Sequence, residues 1–324
     1  MRLLKFIPDD TNIDFLKWRN VAMAISIAMI IASIALVAVR GLNFGVDFLG
    51  GQSIRVEFNQ APQIDEVREK VDTLGYGEAT IQQMGSPKIL SIRTGVPEGD
   101  TNATDKAAEA LKALIQKSYP DAKFGSVSTV SGKVSGELVW SGGMALALSM
   151  IAISIYIWFR FEWQFGFGAI FALFHDVALT FGFFALTQLE FNLNTIAALL
   201  TIIGYSLNDT IVVYDRIREN LKKYRKMDMI ALLNLSVNET LSRTIMTNLT
   251  MLITLSVLLF LGPDVIFGFT AAMLLGIFIG TYSSIYMAAP LLVWLKVGPH
   301  SFVAAEGKSG AERVGGRKSD GAVV

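Results

Sequence analysis

The sequence predicts an α-helical polytopic membrane protein with six transmembrane helices, plus a small α+β domain inserted after the first of them. Three observations carry that prediction. The 324 residues are 52% hydrophobic and only 17% charged, against about 25% charged in an ordinary soluble domain, and mean hydropathy is +0.48. Six apolar runs, near 21–39, 139–159, 165–186, 193–213, 244–261 and 266–295, are long enough for the roughly 20 residues a helix needs to cross a bilayer. Between the first two lies a long polar stretch, 40–138, with the residue alternation of a folded domain.

The balance of charge narrows the function classes. Lys+Arg and Asp+Glu both number 28, which excludes a globally basic nucleic-acid binder and an acidic disordered chain. With no cysteine, disulfide frameworks, zinc–cysteine sites, iron–sulfur clusters and a Cys nucleophile are excluded. His175 and His300 are the two histidines, too few for a His-based metal site, and no cofactor is expected. No G-x-x-x-x-G-K-[ST] stretch occurs, so nucleotide hydrolysis would have to come from elsewhere, and the chain reads as a non-enzyme.

The first apolar run is longer than the usual h-region of about 7–15 residues. It leaves through Val39, Arg40 and Gly41 without a small-residue cleavage site, so a retained anchor is expected. Lys and Arg crowd residues 1–20, the segment 214–243 and the tail 296–324, whereas 187–192 and 262–265 have none. By the positive-inside rule both termini and a 214–243 loop are cytoplasmic and the 40–138 domain faces outward. The expected organisation is a cytoplasmic segment 1–20, a first helix 21–39, the outward domain 40–138, a five-helix bundle 139–295 and a disordered Gly/Ser-rich tail 296–324.

Within the insertion, Gln52–Phe58 alternates like a strand, and 63–74 has an apolar stripe at helical spacing, Ile64, Val67, Val71 and Leu74. Strands near 79–84 and 88–93 flank the turn signal Gly85-Ser86-Pro87, a second helix fits 104–117, and a last strand fits 123–130. That β-α-β-β-α-β order is the ferredoxin-like arrangement. By itself it assigns no function.

Polar residues inside the apolar runs point to the working part, because ionisable groups in hydrocarbon are expensive. The third run has His175-Asp176 near its midpoint; the fourth carries Thr201, Tyr205, Asn208 and Asp209 on one helix side; the fifth starts with Arg243 and continues with Thr247, Thr250 and Thr254. Spans one, two and six read as anchors. With the fourth span ending near 213, Asp209 lies about 6 Å inside its end at 1.5 Å per residue, and Arg243 enters at similar depth, so the two are expected to form an ion pair. Asp176 is deeper, about 10 Å away along the normal by the same rise. A movable arginine beside a buried acid could switch it between proton-holding and proton-releasing states. Arg243 is equally readable as a snorkelling positive-inside residue, the Thr stripe as helix packing, and His175-Asp176 as a structural pair. The glycines Gly166, Gly168, Gly268, Gly276 and Gly280 read as close-packing positions.

The junction GLNFGVDFLGG, Gly41 to Gly51, follows the first span directly. Its glycines suggest a constrained turn. Gly45, Gly50 and Gly51 would form a hinge and Asp47 an anchor, coupling the outward domain to the membrane helices.

GLNFGVDFLGG, the HDV of the third span, GYSLNDTIVVYDRIREN at 204–220 and LSRTIMTNLT at 241–250 together resemble the SecF family. These are the smaller membrane subunits of the bacterial SecD–SecF complex, related to the resistance-nodulation-division transporters. The resemblance runs from about Phe6 to Trp294. It implies a bacterial inner-membrane protein with a periplasmic ferredoxin-like domain. Its implied partners are SecD, the SecYEG channel with SecA, and YajC, and it would assist preprotein translocation with the proton-motive force. It further implies proton transport by Asp209 and Arg243, with Tyr205, Asn208 and Thr247 as supporting polar residues. Two other readings stay open: a proton-coupled small-molecule exporter subunit, and an intramembrane aspartyl protease using Asp176 and Asp209, whose carboxylates would then lie within roughly 3 Å.

Overall fold

The computed structural model describes residues 11–84, 86–95 and 101–298. The tail expected to be disordered falls, from 299 onward, outside the described residues. Helix α1, Arg19–Arg40, is entered through a 3-10 turn at Phe15–Trp18. It ends at Gly41, and the single turn α2, Val46–Leu49, leads into strand β1, Gly51–Glu57. Then come α3 (Ile64–Asp72), β2 (Thr80–Met84), β3 (Ser86–Thr94), α4 (Thr101–Ser118) and β4 (Lys123–Val130). Strand β3 starts inside the expected turn and includes Pro87 at its beginning, where the register with β2 is irregular. Proline donates no ladder hydrogen bond and is tolerated at a strand's start.

The four strands form an antiparallel sheet in the order β2-β3-β1-β4, as the ferredoxin-like reading requires. Strand period two sorts its faces. Ile54, Val56, Leu90 and Ile92 are buried against Val67 and Val71 of α3 and Leu111 and Ile115 of α4. Ser53, Arg55, Ser91 and Arg93 alternate with them and occupy the opposite, polar face, where Ser53 pairs with Arg93 and Arg55 with Ser91.

The remaining helices are α5 (Gly132–Arg160), α6 (Trp163–Thr187), α7 (Leu193–Lys223), α8 (Met229–Leu261) and α9 (Phe267–Ser283). Helix α9 runs through one π-helical turn, Ser284–Ala288, into α10 (Ala289–Trp294). Pro290 has no N–H for the carbonyl four residues earlier, a usual cause of such a local winding change. Among the described residues six helices, counting α9 to α10 as one, are long and apolar enough to cross a membrane. Helix α9 presses on α7 where it lacks side chains: a Cβ at Gly276 would collide with Ile202, and one at Gly280 would lie 3.0 Å from the Cβ of Ser206.

The segment 214–243 is not a loop. Helix α7 continues to Lys223 and α8 starts at Met229. Hydropathy marks where a helix leaves lipid, whereas ion pairs prolong the helices past that point. Arg216 pairs with Glu219 one turn on at 2.6 Å and with Glu239 of α8 at 2.7 Å.

Candidate functional site

Asp209 and Tyr205 are one helical turn apart on α7 and share the side that meets α8. Asp209 is buried, 3% exposed, and its Oδ2 accepts from Nδ2 of Asn248 on α8 at 3.3 Å. The same Nδ2 donates to Oγ1 of Thr281 on α9 at 2.5 Å, and the Asn248 Oδ1 accepts from the Tyr205 hydroxyl at 2.6 Å. One side-chain amide therefore joins three helices. Asn248 flanks the threonine stripe in sequence, but Thr281 sits in a span that reads as a plain anchor.

The ion pair expected between Arg243 and Asp209 is not formed. Arg243 lies on the exposed side of α8, and among the described residues no ion pair within 4.0 Å links it to Asp209. The helical rotation that aims Asn248 at α7 turns Arg243 outward, because five residues on a helix advance it by about 500°, roughly 140° past a full turn. Asn208 and Thr247, expected as supporting residues, are exposed beside it, as are Thr201, Thr250 and Thr254. The Thr247 hydroxyl donates back to the carbonyls of Arg243 and Thr244 at 3.1 and 2.9 Å. Together these residues form an outward-facing polar strip along α7 and α8.

His175 and Asp176 are wholly buried on α6, with Nδ1 and Oδ1 2.9 Å apart. The second oxygen, Asp176 Oδ2, accepts from Ser283 of α9 at 2.9 Å and from Ser206 of α7. Two serine hydroxyls on one carboxylate oxygen pin α6, α7 and α9 together. Span six thus supplies a site residue, and so does span one indirectly: Ser26 of α1 donates to the hydroxyl of Tyr282, whose ring stacks on His175. Isolated serines in apolar runs gave no signal, since in any helix they can bond their own i−4 carbonyl. No hydrogen bond joins Asp176 to Asp209 among the described residues, and each has its own partner set. Nor do three His, Asp or Glu side chains gather to hold a metal among the described residues.

The junction is tied to the start of α7. Asp47 Oδ2 accepts from the backbone N–H of Leu193, the first residue of that helix, at 3.0 Å, satisfying one of its orphan donors. Gly45 N–H donates to the carbonyl of Phe191, and Phe191 N–H to that of Asn43. A side chain at Gly45 would collide with the Glu190 carboxylate. Gly50 and Gly51 have φ of 72° and 107°, which favour glycine. Burial pushes the Glu190 carboxyl above its usual range; the Arg93 charge opposes that rise and the Asp47 charge adds to it. Arg93 is a residue that sequence reading missed, having the look of an ordinary surface-strand cation. It is 7% exposed, and its guanidinium donates to the carbonyl of Phe44 and to Oδ1 of Asn43.

The chain has clear relatives among known proteins. The family described as "Protein export membrane protein SecD/SecF, C-terminal" matches residues 110–298, and the "SecD/SecF GG Motif" matches residues 35–62, spanning the junction. The chain is 44% identical to the protein translocase subunit SecF of Rickettsia akari (strain Hartford) over 89% of this chain and 94% of that one. It is also 44% identical to the protein translocase subunit SecF of Rhodobacter capsulatus over 90% and 91% of the two chains. Among solved structures it is similar to SecDF, a translocon-associated membrane protein from Thermus thermophilus, at a TM-score of 0.81 and 36% identity. That match covers 90% of this chain and 40% of the SecDF chain. This chain is a multi-pass membrane protein that belongs to the SecD/SecF protein-export family, among its SecF subunits.

Proposed function

We propose that this chain is the SecF-type subunit of a proton-driven protein-export complex of the bacterial inner membrane. It assists translocation of preproteins through SecYEG, driven by SecA, with SecD as its obligatory partner and YajC as an accessory one. Both termini are cytoplasmic in this reading, and the sheet domain is periplasmic. Asp209 is the proton carrier. Arg243 is the movable cation that favours its ionised form, and Tyr205, Asn208 and Thr247 line the path.

The observation that carries the reading is the buried Asp209 carboxylate, held by a neutral amide rather than a cation, beside an exposed strip that contains Arg243. A guanidinium and hydroxyls facing lipid would be costly. A second helical bundle docked on the strip would cover them and leave a polar seam next to Asp209. The chain spans 40% of the SecDF relative, which leaves room in that protein for such a partner. One proton crossing the field yields about 2.3 kcal/mol per 100 mV, comparable to a conformational preference of a few kcal/mol.

The test uses membrane vesicles containing the chain and its SecD partner. Asp209→Asn and Arg243→Met should each abolish proton-driven stimulation of preprotein transport and leave the SecA-driven basal rate. Stimulation that survives both substitutions would overturn the assignment.

A further inference from the structure

The sheet domain has an apolar core of its own, built from residues of β1 to β4, α3 and α4 and their connections. The membrane helices have separate cores, and the junction residues Leu42 and Phe48 pack into one of those. The described hydrogen bonds between the two bodies are polar and few. Arg93 donates to Phe44 and Asn43; Asn43 donates to Gln82 Oε1 at 2.6 Å; Gln82 donates to the carbonyl of Gln188 at 3.1 Å. Beside them is a cavity of about 220 Å³ whose lining is mixed: polar side chains such as Arg55 of the sheet and Asp47 and Glu190 of the helix ends, and apolar ones such as Leu189, Phe267 and Phe269. Both chain connections lie together at one corner. Gly51 pairs with Val130, and a Cβ on Gly50 would be 3.2 Å from the Cα of Gly132. A domain hung from one corner, with an apolar core separate from those of the helices and a cavity in the interface, is arranged to move relative to them.

Arg93 is the only cation in those bonds, and both its acceptors are neutral. Glu190 lies within range of its charge without ion-pair contact among the described residues, so a third, charged acceptor is near the guanidinium. The part of the junction it grips is tied through Asp47 and Phe191 to the start of α7, and Asp209 lies sixteen residues further along that helix, about 24 Å at 1.5 Å per residue.

We infer that Arg93 is a coupling residue: a releasable clasp between β3 and the Asn43–Phe44 part of the junction that delivers movement of α7 to the sheet domain. It positions the domain and carries no proton. The inference rests on the proton-driven reading above for the source of that movement.

The test again uses the full chain with its SecD partner in vesicles. Because this chain has no cysteine, Met84→Cys with Leu189→Cys, which line the interface cavity from the sheet and from the helix ends and take no part in the Arg93 contacts, can be bridged, in a cysteine-free partner background, by a short cleavable bis-thiol reagent. Bridging should reduce preprotein transport about tenfold relative to the unbridged double variant, and cleavage should restore it, as for a gating step. A bridged chain that transports normally would overturn the clasp. In a second arm, Arg93→Gln should keep proton flux and lose the stimulation of transport. Retained stimulation, or flux and transport lost in the same proportion, would also overturn the proposal. Unchanged flux in Asp209→Asn would sink the proton reading alone, leaving the bridging result to decide on the clasp.

Discussion

Asn248 on α8 holds Asp209 on α7, amide nitrogen to carboxylate oxygen at 3.3 Å, in the place where an arginine would be expected. The same amide satisfies Tyr205 and Thr281. Replacing it with alanine strands a buried carboxylate and takes the acceptor from the Tyr205 hydroxyl, while the Thr281 hydroxyl keeps its bond to the carbonyl of Ile277; a buried polar group left unpaired costs about 1–3 kcal/mol. Asn248→Ala should lower the thermal unfolding temperature of the detergent-solubilised protein and reduce proton-driven transport as strongly as Asp209→Asn. Parental behaviour in both assays would show that the amide is incidental.

Arg243 has the opposite signature. It is exposed, and exposed substitutions away from special features usually stay within about 0.5 kcal/mol. Arg243→Met should leave the unfolding temperature of the isolated subunit unchanged while weakening proton flux in the complex. A large drop in the isolated subunit's stability would mean that the residue works within this chain.

The Asp176 cluster is a matter of stability. Its carboxylate serves His175, Ser206 and Ser283 at zero exposure, and each buried polar group left unpaired by its removal costs about 1–3 kcal/mol. Asp176→Ala should unfold well below the parent, and Ser283→Ala should lose about 1 kcal/mol. Thermal melts of the two variants, read side by side, check the order.

Close approach of α9 to α7 depends on Gly276, where a new Cβ meets Ile202. Overpacking of this kind costs about 1–3 kcal/mol, so Gly276→Ala should destabilise the protein by that amount. It should also shift Thr281 and Ser283 away from their partners, which hydrogen exchange along α9 would register.

Glu190 gives a pH dependence at the junction. Its folded carboxyl is raised, chiefly by burial, so the docked form binds its proton more tightly than an undocked or unfolded form does. Stability of the docked arrangement is then greatest below the unfolded pKa of about 4.3 and falls as pH rises through the folded one. The charged neighbours are Arg93 from β3 and Asp47 from α2, with Arg55 of β1 lining the same cavity. Hydrogen-exchange protection over 41–52 and 188–193, taken relative to the intrinsic rate of the unfolded chain at each pH, should rise on acidification through that range. In Glu190→Gln the dependence should flatten; an unchanged pH profile would assign it to another group.

The apolar runs and their one polar insertion fixed the six spans and the β-α-β-β-α-β order, since hydropathy and residue period are local properties of the chain. Asp209 stood out for the same local reason, as an acid within an apolar run. What lies across from it was not local. Asn248 rather than Arg243 meets Asp209, Ser283 reaches Asp176 from a span with no polar stripe, and Arg93 leaves its sheet to grip the junction. Each depends on how far a helix is rotated or how a sheet face is docked. Those settings come from contacts such as Gly276 against Ile202, which join residues distant in sequence and leave no periodic trace in it.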